Sequence, residues 1–460
     1  MRFRSLTLVT LVLAGGLLAS PASAGSPAPT IWVYPSTAPC DTTLQACVNA
    51  AAAGDVVRVA ADVPDLGILT ISKSLTLEAD PGVSPVPVLG TTSGNTRIDV
   101  DSEDPTDLVK VDVTIRNLRT RRVTIDAFYG KGSGSTFTVT GMQMRSVFDN
   151  NNQDSIGVTA YAPITVIVRD NVIHADGNPI ELTPLPGAGG GDTTPGTFEG
   201  WVERNVLTSP PNDENNGLAL DLRPAEGSTA HVRVYDNLVV EQGTCFCGGS
   251  AGINVSSVSP GAGGTSLADV WHNTVVRTAR GGPGPSAGID VYQNAGTSLR
   301  VNLFDNVVVD GRGEGISIGG TDSLPTVVSG FNDSWGNTRP DDWSGIAHPN
   351  HLSVDPRFVD AASGDYRLQA SSPLIDAGVV CRAGGLGVLD VAGKQRMAGP
   401  MVDIGAYERG AVVDDPGVAR MSGSGPSLML GTEAQDFLCG FGGLDELEGY
   451  AGNDYLDGGK

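Results

Sequence analysis

The stretch VRDNVI, residues 168–173, returns along the chain as VERNVL (202–207), VYDNLV (234–239), VWHNTV (270–275) and LFDNVV (303–308). Its asparagines are Asn171, Asn205, Asn237, Asn273 and Asn306, at intervals of 34, 32, 36 and 33 residues. Apolar β-formers flank each asparagine, so each copy reads as strand, bend and strand. A second phrase alternates with the first: IEL at 180, LDL at 220, INV at 253, IDV at 289 and ISI at 316. Uneven Gly-rich and polar loops such as PGAGGGDTTPG (186–196) and VSPGAGG (258–264) separate them. A unit of this size, made only of strands, cannot bury its own apolar face and must stack on its neighbours. Asparagine at the bend tolerates a left-handed backbone, and its amide can stack from coil to coil. The expected architecture is all-β, a parallel β-helix solenoid. Six to nine coils at about 4.8 Å each make a rod of roughly 30 to 45 Å.

Working outward, TTLQACVNAAAAGD (42–55) is the one helical pattern near the start. Thr42 and Gln45 form a capping box, Leu44, Cys47, Val48 and Ala51 make one apolar stripe, and Gly54 ends it. Strands follow at VVRVA (56–60), ILTIS (68–72) and SLTLEA (74–79). The helix is expected to cover the open edge of the first coil. This beginning and the repeat resemble the right-handed parallel β-helix family of pectate-lyase-like extracellular proteins, over about residues 31–335. The resemblance implies the fold and leaves the chemistry to particular residues.

Before the helix, Arg2 and Arg4 precede the apolar run LTLVTLVLAGGLLA (6–19), and ASA (22–24) supplies a small-residue cleavage site before Gly25. Residues 1–24 read as a Sec-type signal peptide, and the mature chain as secreted or displayed on the cell surface. No later run approaches the roughly 18 apolar residues that a membrane helix needs. The chain carries 52 Asp and Glu against 29 Lys and Arg, a net charge of −23. That charge excludes nucleic acid and anionic membrane surfaces as partners and suits cations. Six cysteines fit an oxidising compartment. Cys40 and Cys47 can pair if the chain turns before the helix; Cys245 and Cys247 form either a strained bridge or half of a chelate with no further ligand nearby.

Behind the repeat lies HLSVDPRFVDAASGDYRLQASSPLIDAG (351–378), then LDVAGKQRMAGPMVDIGAYER (389–409). Asp355-Pro356, Ser372-Pro373, Ile375-Asp376, Gly378 and Asp403-Ile404-Gly405-Ala406-Tyr407-Glu408 resemble the C-terminal end of bacterial surface β-helix proteins, the choice-of-anchor Q type. They read as tight turns and a closing strand that cap the last coils, structural and not catalytic.

The final stretch beats in nines: GTEAQDFLC (431–439), GFGGLDELE (440–448) and GYAGNDYLD (449–457). Glycine permits a turn with inward carbonyls, aspartate adds a hard anionic oxygen, and leucine packs inside a roll. The pattern resembles the calcium-binding nonapeptide of RTX proteins, and the resemblance implies a short parallel β-roll that binds Ca2+. The ligand set expected is Asp436, Gly440, Gly442, Gly443, Asp445, Gly449, Gly452, Asp454 and Asp457. Because ions in that family sit between alternate turns, copies one and three are expected to share an ion. Glu433 and Ala434 weaken copy one, and copy two needs a further turn in an array that looks cut at Lys460. The organisation expected is signal peptide 1–24, β-helix 25–340, capping segment 341–410, linker 411–429 and nonapeptide repeats 430–460.

Candidate catalytic residues come from the second phrase. Its central residues are Glu181, Asp221, Asn254, Asp290 and Ser317, which share one face if the coils stack in register. Glu181 and Asp221, with Arg223 two residues on and Asp290 two coils further, could form a carbohydrate site; paired carboxylates serve hydrolysis, and carboxylates with a basic residue and calcium serve lyase chemistry. The plain alternative is the solvated face of a sheet. GISIG (315–319) spells G-x-S-x-G, but inside a strand and not at a strand-turn-helix elbow. His348 and His351 are a loop pair without a third ligand. Mannuronan epimerases join a β-helix to similar repeats, but their Asp-Pro-His signature is absent here: DPTD, DPRF and DPGV all lack the histidine. The reading is an exported calcium-binding β-helix protein, non-catalytic, with extracellular polysaccharide or matrix as partner; the alternative is a polysaccharide lyase or glycoside hydrolase.

Overall fold

Residues 28–90, 96–101, 110–127, 134–145, 154–175, 177–186, 195–209, 216–240, 251–258, 263–276, 287–311, 313–381, 387–411, 419–421, 426–434, 436–441, 444–452 and 454–459 are described by a computed structural model. The leader, the Cys245–Cys247 pair, Gly442 and Gly443 lie outside the described residues.

The chain winds through three parallel sheets in strict rotation. One coil runs from Thr165–Arg169 in the first sheet to Val172–His174 in the second and Ile180–Pro184 in the third. The next coil begins at Thr197–Glu203, hydrogen-bonded in register on Thr165–Arg169. Among the described residues the first sheet holds 11 strands and the other two hold nine each. This is a right-handed parallel β-helix. Alternation fills the interior: Val166, Val168, Ile173, Ile180 and Leu182 of that coil are fully buried and join one continuous core. Each such side chain contributes about 1.5–3 kcal/mol only once its neighbours above and below are in place.

The recurring asparagines form a ladder inside the first bend. Asn171 Nδ2 donates to Asn205 Oδ1 at 2.9 Å, Asn205 to Asn237 at 2.9 Å, Asn237 to Asn273 at 3.0 Å and Asn273 to Asn306 at 3.0 Å. Asn306 continues it to Asn332 at 2.9 Å. Each Oδ1 also accepts the backbone N–H of the asparagine below, as Asn237 Oδ1 does from Asn205 N at 3.0 Å. The left-handed residue is not the asparagine, as expected from sequence, but the one before it: Asp170, Arg204, Asp236, His272, Asp305 and Phe331 have φ between 51° and 57°. That kink turns the chain in one step and aims the following side chain inward. In the two preceding coils the inward positions are the buried apolar residues Leu118 and Met142, after Asn117 and Gly141 at φ 54° and 63°.

Both ends are closed. The helix Leu44–Ala50 buries Leu44, Cys47 and Val48, with Ala51, against the first coil, and Cys40 is disulfide-bonded to Cys47. Its N-cap is Thr43, whose side chain accepts from Ala46 N at 3.0 Å, one residue beyond the expected Thr42. Gln45 is therefore released from a capping box. Its amide instead accepts from Thr70 N at 2.8 Å and donates to Thr70 O at 3.0 Å, satisfying the outermost strand of the third sheet. At the far end Asp342 bridges Ser317, and Trp343 enters the main core.

Beyond Leu352, which bridges Asp333, the chain returns along the flank, so the 351–409 region reaches well beyond the last coils. Tyr366, Leu368, Leu374 and Ile404 pack on the outward Leu238, Val276, Val307 and Val309 of the second sheet. Arg396, fully buried, places Nε 3.3 Å from Asp236 on the left-handed column, and burial pushes Asp236 up to about 7 despite that pairing. Asp305 Oδ2 accepts from Val379 N at 3.2 Å, and Thr274 Oγ1 accepts from Ala406 N at 2.8 Å.

The last residues form a small parallel roll. Ala419–Met421, Phe437–Cys439 and Tyr455–Asp457 make one sheet, and Leu428–Thr432 pairs with Glu446–Tyr450 in another. Partners are 18 residues apart, two nonapeptides per turn. The first strand lies in the stretch read as linker. Phe437 packs with Val380, Met397 and Val402, and Cys439 is disulfide-bonded to Cys381, so the roll is fastened to the flanking segment.

Asn237→Ala strands donors and acceptors on two coils at once and should cost about 2–4 kcal/mol in urea unfolding. A loss no larger than that of the surface change Thr138→Ala would deny the ladder its role. Arg396→Met leaves Asp236 buried without its cation and should lower the melting temperature with a cost of about 3–5 kcal/mol.

Candidate functional site

The outward face of the third sheet carries the predicted polar residues, and its register decides which of them meet. One row runs Asp99, Thr124, Gly157, Glu181, Ala219, then Asn254, Asp290 and Ser317. Asp221 is not in this row. It pairs with Ser256, which pairs with Tyr292, two residues further along the strand. The expected contact of Glu181 with Asp221 is thus replaced by Glu181 against Ala219, because Leu218–Leu222 enters the sheet two residues earlier than the LDL phrase suggests. Asp290 does stay in line with Asn254 and Ser317.

Each predicted carboxylate has partners. Glu181 accepts from Asn178 Nδ2 at 2.8 Å and from Thr183 Oγ1 at 3.4 Å. Asp221 accepts from Ser256 Oγ at 2.7 Å and from Arg223 Nη2 at 3.4 Å. Asp290 lies 3.5 Å from Asn254 Nδ2 and is hydrogen-bonded by Ser317; burial raises its pKa. Ser317, the serine of GISIG, is thereby a carboxylate donor within a strand and not a nucleophile at an elbow.

Asp154 is the residue that the repeat phrases did not reveal. It sits before the strand Ile156–Ala160, where the in-row neighbour of Glu181 is Gly157. A Cβ on Gly157 would lie 3.5 Å from Asp154 Oδ2, in ordinary contact, so the carboxyl lies beside the Gly157 position. Burial pushes Asp154 up to about 7, and the charge of Glu181 and a hydrogen bond with it add to the rise; Asn178 and Arg122 oppose it. Asp154 is hydrogen-bonded to Glu181, and its raised pKa favours the protonated form of Asp154 toward neutrality. Glu181 stands between Gly157 and Ala219 in its row. No repeat phrase marks Asp154, and only the register, with Gly157 in line with Glu181, brings it into view.

Two other polar groups are structural. On the first sheet His231 Nε2 lies 2.6 Å from Asp269 Oδ2, while Arg233 Nη2 lies 3.0 Å from His231 Nδ1 and Nη1 2.6 Å from Glu199. Both ring nitrogens are engaged within this network. In the HPNH loop, His348 stacks on Trp343 at 4.5 Å and His351 Nε2 lies 2.8 Å from Asp341. Among the described residues no three His, Cys, Asp or Glu side chains converge as a metal site.

The roll presents a different situation. A Cβ on Gly440 would lie 2.7 Å from Asp445 Oδ2 and 2.9 Å from the Gly458 carbonyl, so the glycine is what admits both oxygens. Gly449 stands in the same relation to Asp454, with Oδ2 closest to its missing Cβ, and Gly452, at φ 129°, faces the Ala434 carbonyl and Asp454 Oδ1. Asp436 accepts from Thr432, Asp454 Oδ1 accepts from Asp436 N at 3.0 Å, and Asp457 Oδ1 accepts from Gly459 N at 2.8 Å. Asp445 differs: both carboxylate oxygens are buried and neither has a hydrogen-bond partner. The unsatisfied carboxylate therefore belongs to copy two, facing the Gly458 turn, whereas copies one and three satisfy each other in part through hydrogen bonds.

No protein-family model matches the chain, and no curated protein matches it. Among solved structures it is similar to a crystal structure of pectate lyase Pel9A, at 12% sequence identity and a TM-score of 0.32, over 83% of this chain and 97% of that one. A likeness at this level says nothing about activity. No helix among the described residues is long and apolar enough to cross a membrane.

Asp154 has a direct pH signature. Its pKa rises from 3.8 to about 7 on folding, so its favourable protonated state is fully present below pH 3.8. Stability from this group falls as pH climbs from there through about 7 and is flat above. Asp154→Asn should flatten that part of the stability curve measured by urea unfolding, and Glu181→Gln should lower the Asp154 pKa followed by carboxyl NMR.

Proposed function

We propose that this chain is an exported calcium-binding β-helix protein that holds extracellular polysaccharide without cleaving it. The observation that carries the calcium reading is Asp445. A buried carboxylate with neither oxygen satisfied is costly and asks for a cation. Calcium suits it because the surrounding donors are hard oxygens, a carboxylate and the nearby Gly458 carbonyl, in a turn whose glycines keep side chains away. The nonapeptide resemblance supports the same ion. Asp445, Gly440 and the glycines at 442, 443 and 458 would hold it, and the ion would neutralise the carboxylates that otherwise repel across the stacked turns.

Export is supported by the leader pattern in residues 1–24 and by the Cys40–Cys47 and Cys381–Cys439 disulfides, which persist in oxidising compartments. The polysaccharide reading rests on the third-sheet face, where coils stack about 4.8 Å apart and the row places Asn254, Asp290 and Ser317 on successive coils, with Glu181 beyond Ala219. Glu181, Asp221 and Asp290 are each held by neighbours, and Glu181 is hydrogen-bonded to Asp154 instead of facing a second carboxylate across a substrate-sized gap. That arrangement favours holding over hydrolysis. One observation favours the second reading, a lyase or hydrolase: a carboxyl at about 7 is poised for proton transfer at neutral pH.

Calcium titrated calorimetrically into the full chain should bind, and Asp445→Asn should weaken it about tenfold or more. Asp457→Asn should matter little, because that carboxylate already accepts Gly459 N. No heat with calcium, or equal binding by Asp445→Asn, would remove the calcium reading. Incubation with pectate, alginate and neutral polymers should give retention on the polymer without new reducing ends or near-ultraviolet absorbance. Products that disappear in Asp154→Asn would replace the binding reading with the enzymatic one.

A further inference from the structure

We infer a second ligand site, a pocket for a neutral sugar, where the last coils meet the returning flank. It is a cavity of about 580 Å³ at the end of the second sheet, away from the third-sheet face. Trp335 pairs with Val309 in that sheet, but where Val309 is covered by the flank, the Trp335 indole stays 41% exposed. An exposed indole at the mouth of a cavity offers a flat apolar face to the C–H face of a ring. Phe358 lines the cavity beside it and is fixed edge-on against Tyr366 at 5.4 Å.

The polar lining is placed by backbone geometry. Asp310 and Arg357 both take left-handed conformations, φ 60° and 54°. The Asp310 carboxylate lies over Gly336, where a Cβ would stand 2.8 Å from Oδ1. Arg357 donates through Nη1 to Ser371 O at 2.8 Å, and its backbone N–H donates to Asp355 Oδ1 at 2.8 Å. Gln369 is held through its Nε2 to Phe358 O at 2.8 Å. Fixed side chains of this kind orient a ligand without a large ordering cost.

Charge then selects the ligand class. The Arg357 guanidinium opposes a cation, which an indole beside two carboxylates would otherwise attract. Asp310 and Asp355 oppose a uronate or any other anion. What fits a cavity of this size, with an aromatic wall and both donors and acceptors, is an uncharged ring with many hydroxyls, a pyranose at the end or branch of a glycan. The site extends the polysaccharide-holding reading to a different place and a different sugar class, and can fail without it.

The test uses the full chain and calorimetric titration with laminarihexaose, mannohexaose and cellohexaose, with hexagalacturonate and choline as charged probes. At least one neutral oligosaccharide should bind, about tenfold more weakly in Trp335→Ala and by an intermediate factor in Trp335→Phe. Asp310→Asn, which keeps a residue at ease in the left-handed turn, should also weaken it, whereas Asp290→Asn on the third sheet should leave it unchanged. If Trp335→Ala does not fold, the Phe and Asn variants decide. No binding by any neutral probe, binding that survives the pocket variants, or binding by the charged probes alone overturns the pocket. Neutral binding lost only in Asp290→Asn assigns the sugar to the third sheet instead.

Discussion

Every coil of this solenoid must turn sharply between its first and second strands while its backbone remains buried. A buried N–H or C=O left unpaired is a heavy penalty, and the bend breaks the regular ladder just where it is deepest. The asparagine column resolves this. Its amide supplies one donor toward a backbone carbonyl and toward the next amide, and one oxygen that accepts both the side chain and the main-chain N–H of the coil below, as Asn237 does for Asn205. The stack height of the sheets and the spacing of the amides are the same distance, so the two reinforce each other. Five links join Asn171 to Asn332.

The ladder also sets what lies outside. The inward turn of each asparagine follows from the left-handed residue before it, which must then point its own side chain outward. The outward column Arg204, Asp236, His272 and Asp305 is a consequence of the fold, and it is polar. The returning segment converts it into an interior. Arg396 reaches Asp236, the backbone N–H groups of Val379, Gly405 and Ala406 meet Asp305 and Thr274, and the apolar residues beside them close over Val307 and Val309. Through Cys381 the same segment holds the terminal roll.

This order of dependence explains what the sequence discloses. The asparagines are legible because one chemical need recurs at one place in each coil. The helix is legible from its stripe, while its cap moved by one residue because Gln45 has a better use at the sheet edge. Register on the third sheet is not legible, since the loops before each strand differ in length and LALDL contains two phrases that fit. That ambiguity put Asp221 in the wrong row and hid Asp154 behind Gly157. In the roll, Arg420 and Met429 occupy the same nine-residue positions as Leu438, but the aspartate positions two residues before them hold Val418 and Ser427, so the earlier strands are silent in the motif. The Cys381–Cys439 bond and the flank depend on surfaces that exist only after the coils stack.

An acidic chain offers many carboxylates, and their surroundings separate scaffold from function. Asp403 accepts N–H groups from Asp376 and Arg409, and Glu408 accepts those of Ala398 and Asp403. These acids of the 403–408 stretch are turn-holders; their partners are already supplied by the main chain, and nothing further is required of them. Asp154 is hydrogen-bonded to Glu181, and its raised pKa gives a site that responds to pH. Asp445 has neither answer. Its turn sets it beside the Gly458 carbonyl and supplies neither carboxylate oxygen with a donor, which is the feature on which the calcium proposal rests. The same residue type thus builds the flank, tunes the third-sheet face and stands unsatisfied in the roll, and the difference lies wholly in which donors the fold has left within reach.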